Sequence, residues 1–598
     1  MTKIPYIPET APFSLEQRAW LNGFLAGLFA NGGGNDEAPQ LSAPPKAGEP
    51  LPILFGSQTG TAEGLAKRIA KEAAQRGFAP VVLPLNDHAQ ADLAKAGKAI
   101  IISSTWGDGE PPDNATNFWS WLQADAPRLE NLQFAVLGLG DKNYSDFCGA
   151  AKKFDSRLES LGARRLVPRG ECDTDYEGPA KTWVDDLWAK LKPSTNGANG
   201  HSVHTNGHAP ATNGHTPVAN GHTKSSAFSK TNPFPAKLLK NVLLNKPGSA
   251  KEVRHYEISL AGSGLTYEAG DALGVVPVNC PALVDEMLAT LKCSGTESVS
   301  FNNADMPLRE ALTRHLDLCK PSQELLASVV SHSPICALRP LLAPECRDEL
   351  KKFLWGRDVL DLLRLTDKPF SPAELVPLLR KLGPRLYSIS SSPKAHPGEV
   401  HLTVSAVRYE SFGRGRKGVA STFLADRIGD ADCVKVFVQP SHGFKPPTNP
   451  DVPMIMVGPG TGIAPFRAFL EERKASGAKG KNWLFFGDQK RASDYLYETE
   501  LDAWRREGHL SRLDLAFSRD QDAKIYVQDR MVEKAAELWS WLQAGAHFYV
   551  CGDASRMAKD VDAALHRIAE SAGGKSADQA KAYIAQLKSE KRYQRDVY

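Results

Sequence analysis

From Leu51 onward, short apolar runs alternate with stretches whose apolar positions recur at helical spacing, the pattern of strand–helix units feeding a parallel sheet. Residues 51–55, 99–104 and 134–139 read as buried strands, and a helix is predicted from about Glu63 to Arg76. From Phe234 the text changes to strands and turns, at 237–245, 253–260 and 270–275, and it resumes at 385–390, 400–407 and 434–438. The interval, about 281–380, is leucine-rich with little β-branched alternation and predicts a predominantly helical insertion. Strand-and-helix text returns with apolar runs at 452–457, 483–487, 513–517 and 548–550. The fold class is therefore multi-domain α/β.

Two stretches stand outside this pattern. In residues 1–49, Ser14 and Gln17 form a capping box, and Leu21, Phe24, Leu25, Leu28 and Phe29 share one helical face. Gly32, Gly33 and Gly34 cut this helix off, so its apolar face docks either on a neighbouring domain or in an oligomer or partner contact. In residues 193–230, Asn-Gly-His recurs at Asn199, Asn206, Asn213 and Asn220 amid Thr, Ala and Pro, a composition that builds no core. Its histidines raise a metal reading, but even spacing in a flexible chain makes no preformed site, and a tether spanning about 30–35 Å is expected.

Bulk properties narrow the class. At 598 residues the chain holds several domains, with 42% hydrophobic and 24% charged residues, as in soluble globular proteins. Lys plus Arg at 72 against Asp plus Glu at 69 gives no nucleic-acid footprint. Nine cysteines without a C-x-x-C pair suggest reduced thiols. The apolar stretch 20–30 is too short to span a bilayer and no signal peptide is visible, so a cytoplasmic location is expected.

The chemistry concentrates at strand ends. Ser57, Gln58, Thr59, Gly60, Thr61 and Ala62 follow the first strand and offer backbone N–H and hydroxyl groups to a phosphate without a P-loop lysine. Ser104, Thr105, Trp106 and Gly107 follow the strand at 99–104. Leu139, Gly140, Asp141, Lys142, Asn143, Tyr144, Ser145, Asp146, Phe147 and Cys148 follow that at 134–139. Such loops lie where doubly wound sheets bind ligands, and Trp106 and Tyr144 each have a ring to offer a flat cofactor, although surface packing suits them too. Downstream, a Gly-Pro break precedes Arg385, Leu386, Tyr387 and Ser388. Strand alternation puts Arg385 and Tyr387 on one face, with a guanidinium fork suited to a diphosphate. Gly418, Val419, Ala420, Ser421 and Thr422 form a glycine turn into a predicted helix with hydroxyls in its first turn. Gly458, Gly460 and Gly462, with Thr461 between, sit at a strand-to-helix turn that admits a pyrophosphate, in a spacing other than G-x-G-x-x-G. Ser518, Arg519 and Lys524, just before Ile525, Tyr526, Val527 and Gln528, suit a ribose 2′-phosphate, where a carboxylate would select NAD.

Together these motifs resemble those of the diflavin reductases, over essentially all of 51–598 except the Asn-Gly-His stretch. The resemblance implies a flavodoxin-like FMN domain (50–192) after the N-terminal extension, a flexible linker (193–230), a ferredoxin–NADP-reductase-like FAD barrel with a helical insertion (231–448), and an α/β NADPH domain (449–598). It implies FAD contacts at Arg385 to Ser388, at Thr403, Val404, Ser405 and Tyr409, and at Gly418 to Ser421. It places NADPH on Gly460, Thr461, Ser518, Arg519, the stretch from Lys524 to Gln528, and Asp560. Ser388, Cys551 and Asp596 are implied as the polar set around the hydride, with Tyr598 stacking on the flavin until nicotinamide displaces it; no metal is implied. Within the family the likeness is strongest to the flavoprotein subunits of bacterial NADPH-sulfite reductases. Their expected partner is a sirohaem iron–sulfur subunit taking sulfite to sulfide, in an oligomer assembled through the N-terminal region. A different haem or iron–sulfur acceptor is the alternative, and a flavin-free interaction protein a remote one.

Overall fold

The computed structural model describes residues 48–57, 60–105, 109–140, 146–173, 176–191, 228–333, 337–429, 433–441 and 443–598. The N-terminal helix and nearly all of the Asn-Gly-His stretch lie outside these residues.

The first unit is a parallel sheet of β1 (Glu49–Gly56), β2 (Phe78–Pro84), β3 (Lys98–Ser104), β4 (Gln133–Leu139), β5 (Arg164–Arg165) and β6 (Gly170–Cys172), in the order β2-β1-β3-β4-β5 with β6 also on β4. Its central strands carry continuous apolar runs because helices cover both faces. Ile100 and Ile102 pack on one side with the helix Thr61–Gln75, and Ile101 packs on the other with Phe118 and Phe154.

The second unit is antiparallel. It comprises β7 (Phe234–Leu243), β8 (Val253–Ser259) and β9 (Ala272–Val276), then β10 (Ser298–Phe301) and β11 (Ala304–Pro307) inside the insertion, then β12 (Arg385–Ser388), β13 (Glu399–Ser405), β14 (Arg408–Ser411), β15 (Arg414–Lys417) and β16 (Cys433–Gln439). The main sheet runs β12-β9-β16-β7-β8-β13, and a bridge between Ile389 and Leu402 joins its two ends into a barrel filled by residues such as Tyr256, Leu273, Val404 and Val436. The insertion is helical as expected and has its own apolar core, but it also carries the β10–β11 hairpin. Its middle is stitched to its C-terminal end by Asp317 N–H to Arg380 O and by Leu382 N–H to His315 O.

The third unit is a parallel sheet of β17 (Met454–Val457), β18 (Asn482–Asp488), β19 (Arg512–Phe517), β20 (His547–Gly552) and β21 (Tyr593–Val597), ordered β19-β18-β17-β20-β21. The order reverses beside β17, which opens a crevice at the carboxyl ends of β17 and β20. Tyr593–Val597, just before Tyr598, form a strand in parallel register with β20. The helix expected after Gly418 is α-helical only over Val419–Thr422 and continues as a π-turn over Phe423–Arg427. The Thr422 hydroxyl donates back to Gly418 O, and the Arg427 guanidinium donates to Val419 O and to Thr422 Oγ1, which widens the turn. Among the described residues no helix is long and apolar enough to cross a membrane.

Candidate functional site

Pairing of β20 with β21 puts Asp596 directly beside Cys551. Ser388, the last residue of barrel strand β12, reaches the same point. Its hydroxyl donates to Asp596 Oδ2 at 2.6 Å, while the Cys551 thiol lies 3.9 Å from that oxygen. Three residues far apart in the chain thus meet at the seam between barrel and nucleotide sheet. Burial raises the Asp596 carboxyl above its ordinary pKa, opposed by its two donors. Burial first, then the neighbouring carboxylate, pushes the Cys551 thiol well up, so it stays protonated and inert as a nucleophile.

Tyr598 follows at the crevice mouth. Its backbone is fixed by N–H donation to Gly552 O and by accepting from Ala554 N–H, and its hydroxyl lies 3.0 Å from Thr461 Oγ1. The side chain is nevertheless 61% exposed, so the ring is a cover held by one polar contact. Behind it lies a cavity of about 380 Å³ whose lining includes Lys251, Ser405, Gly460, Thr461, Gly552 and Tyr598. A Cβ at Gly462 would collide with Cys551 O, and one at Gly458 with Gly462 O, so the glycines bring this turn against the end of β20. Gly460 has φ 58°, in the left-handed region.

The residues expected at a 2′-phosphate lie at and beyond the end of β19. The Ser518 hydroxyl donates to Asp488 O, Arg519 N–H donates to Gln489 O, and the side chains of Arg519 and Lys524 are exposed. Ile525 and Tyr526 lead into the helix Val527–Glu533, which contains Gln528. Asp560 is exposed in the first turn of the helix Met557–Ser571.

On the barrel, Arg385 donates to Gly383 O and Pro384 O, and its Nη2 lies 3.7 Å from Asp317 Oδ2. Tyr387 packs against the barrel core, whereas Leu386 is 54% exposed, consistent with strand alternation. Of the further positions expected at the flavin, Thr403 is buried with its hydroxyl 2.6 Å from the Tyr497 hydroxyl. Val404 fills the barrel, Ser405 lines the cavity, and Tyr409 stands exposed on β14. Gly418, Val419, Ala420 and Ser421 form the turn described above, where Ser421 Oγ accepts from Val407 N–H and so is partly engaged within the turn.

In the first unit, Ser57 N–H donates to Asn114 Oδ1, and Ser57 Oγ accepts from Ala62 N–H. Gly60, at φ 85°, turns the chain into the helix that begins at Thr61. Ser104 donates to Gly56 O, while Thr105 Oγ1 is buried with no hydrogen-bond partner among the described residues. Such a hydroxyl at a strand end fits a polar ligand group. Gly140 lies close to Cys148 and Phe147, Asp146 sits against Gly109 and Gly149, and Leu139 ends β4. Gln58, Thr59, Trp106, Gly107, Asp141, Lys142, Asn143, Tyr144 and Ser145 lie outside the described residues.

Sequence reasoning missed Lys251, Asp488 and Asp317. Lys251 Nζ is 2.5 Å from Asp488 Oδ1 beside Gly460, and burial raises the pKa of Asp488. None of the three sits in a motif. The composition of 246–251 announces a turn, and only the fold brings its lysine to the cavity.

Comparison with known proteins agrees with this layout. Residues 53–183 match the flavodoxin family, 226–423 the FAD binding domain, and 456–563 the oxidoreductase NAD-binding domain. The chain is 46% identical over 592 residues to a sulfite reductase [NADPH] flavoprotein alpha-component of Bacillus subtilis (strain 168), covering 97% of this chain and 95% of that one. It is 43% identical over 588 residues to the protein of that name from Vibrio cholerae serotype O1 (strain ATCC 39315 / El Tor Inaba N16961), covering 98% and 93%. Identity to the protein of that name from Yersinia pestis (strain Pestoides F) is 41% over 589 residues, covering 98% and 96%.

Proposed function

Because the chain belongs to the family of the sulfite reductase [NADPH] flavoprotein alpha-components, we propose that it is an NADPH-dependent oxidoreductase passing electrons through FAD and FMN to a sirohaem iron–sulfur subunit that takes sulfite to sulfide. The observation that carries this reading is the meeting of Ser388, Cys551 and Asp596 at the seam of barrel and nucleotide sheet, behind the Tyr598 ring. Nicotinamide and flavins supply the hydride and single-electron chemistry when bound, and the protein supplies position and field.

The residues present fit those groups. The glycine turn at 458–462 lets backbone approach a pyrophosphate, with Lys251 as a nearby cation. Arg519 and Lys524 give an exposed pair of cations for a 2′-phosphate. Arg385 serves the flavin diphosphate from the barrel, and the loops at Ser57, Thr105 and Gly140 serve FMN. Ser388 and Asp596 hold a polar, hydrogen-bonded edge where charge changes during hydride transfer, and Cys551 presents a neutral thiol beside it. Tyr598 closes this place against water and must give up its Thr461 contact to open it.

In this reading 50–192 carries FMN, 231–448 FAD and 449–598 NADPH, with 193–230 as tether. Residues 1–49 serve assembly into an oligomer or contact with the acceptor, and the protein works in the cytoplasm. The test is release of flavins from purified protein, followed by NADPH-driven reduction of cytochrome c and then of sulfite when the sirohaem subunit is added. One FMN and one FAD per chain with both activities support the reading. Cytochrome c reduction without sulfite reduction would move the assignment to another acceptor, and loss of FMN would overturn it.

A further inference from the structure

Strand register builds a second polar cluster, away from the hydride site. On the β8–β13 ladder His401 stands directly opposite Glu257, and His255 is two residues back on the same strand face. His255 is 7% and His401 1% exposed, and their rings meet edge-on with centroids 5.0 Å apart. Ligand atoms of His255, Glu257 and His401 all lie within 4.8 Å of one another.

The hydrogen bonds around these rings have the form seen at metal-binding histidines. Each ligating imidazole usually gives its other N–H to an outer partner, which fixes the tautomer. His255 Nδ1 is 2.9 Å from the Tyr497 hydroxyl, leaving Nε2 facing Glu257 Oε1 at 3.3 Å. That separation matches the edge of a tetrahedral zinc site, about 3.3 Å for bonds near 2.0 Å. His401 Nε2 is 3.2 Å from Glu399 Oε2, while its Nδ1 is buried with no partner. The buried Arg467 is paired with Glu471 and Glu500.

We propose that His255 Nε2, Glu257 and His401 Nδ1 bind a divalent cation of the zinc class, with one coordination position left for water. The ion would replace Lys240, which is now 3.0 Å from Glu257 Oε1, and would staple β8 to β13 where Tyr497 of the nucleotide-binding unit seats on the barrel.

The test uses full-length protein carrying both flavins, stripped with chelator, incubated with zinc chloride, desalted, and assayed for zinc against flavin content. About one retained zinc per chain is expected, falling to background in His401→Gln and in Glu257→Gln while FMN and FAD contents hold. A variant with His201, His204, His208, His215 and His222 changed to Ala should keep its zinc. Background zinc in the wild type overturns the proposal, as does full retention by His401→Gln or loss on changing the five tether histidines. If the His401 variant does not fold, cobalt(II) in the wild type decides. Intense tetrahedral ligand-field bands that disappear in Glu257→Gln support the site, and their absence in the wild type rejects it.

Discussion

Ser388 Oγ donates to Asp596 Oδ2 across 2.6 Å, so the barrel and the last strand of the nucleotide sheet share a hydrogen bond at the proposed hydride site. Ser388→Ala removes a bond to a charged acceptor, worth about 1.5–3 kcal/mol, and leaves β12 intact. Stopped-flow reduction of FAD by NADPH should slow by about 10- to 100-fold, with flavin content unchanged. An unchanged rate constant would remove Ser388 from the hydride step.

The same carboxyl sets a pH dependence. Burial raises the pKa of Asp596, so on acidification the proton arrives at a higher pH than at an exposed aspartate. The rate of flavin reduction should therefore fall along an acid limb displaced upward from the ordinary carboxylate range. Asp596→Asn should abolish that limb and leave a lower, flat rate. Persistence of the limb in the Asn variant would assign it to another group.

Arg519 is exposed at the end of β19, and its proposed contact exists only with a 2′-phosphorylated coenzyme. Arg519→Ala should raise KM for NADPH about 10- to 100-fold and leave that for NADH nearly unchanged. Equal losses for both coenzymes would place the 2′-phosphate elsewhere.

Asp317 belongs to the helical insertion yet faces Arg385 of the barrel, 3.7 Å from its Nη2. Its Oδ1 accepts from Cys319 and Lys320 N–H, a role that Asn preserves, so Asp317→Asn removes chiefly the charge that orients the arginine. FAD should be retained about tenfold less tightly on dilution, with FMN unaffected. Equal loss of both flavins would indicate general unfolding.

The parts legible in the sequence were those where periodicity and motif coincide. Residues 51–55, 99–104 and 548–550 read as strands because they are buried on both faces, and Cys551 could be located because it ends one. β21 carried no such signal. Of Tyr593 to Val597 only the two ends are fully buried, and the strand exists because β20 offers a free edge. β14 and β15 are almost wholly polar, and their turn puts Phe412 and Gly413 at positive φ, which a phenylalanine does not announce. Lys251 and Asp317 were invisible for another reason. Their importance lies in the partners Asp488 and Arg385, which are remote in sequence, and no local pattern encodes such a pair.

The helical insertion also sets an order of assembly. β9 pairs with β12, on the order of a hundred residues later, so the barrel cannot close until the insertion has been made and its ends brought together. The flavodoxin-like sheet, with neighbouring strands close in sequence, has no such wait, and domains emerging first fold first. During synthesis the electron outlet is therefore complete before the inlet exists. A nascent or interrupted chain is a one-electron carrier without a supply, unable to draw on NADPH until its C-terminal sheet is finished.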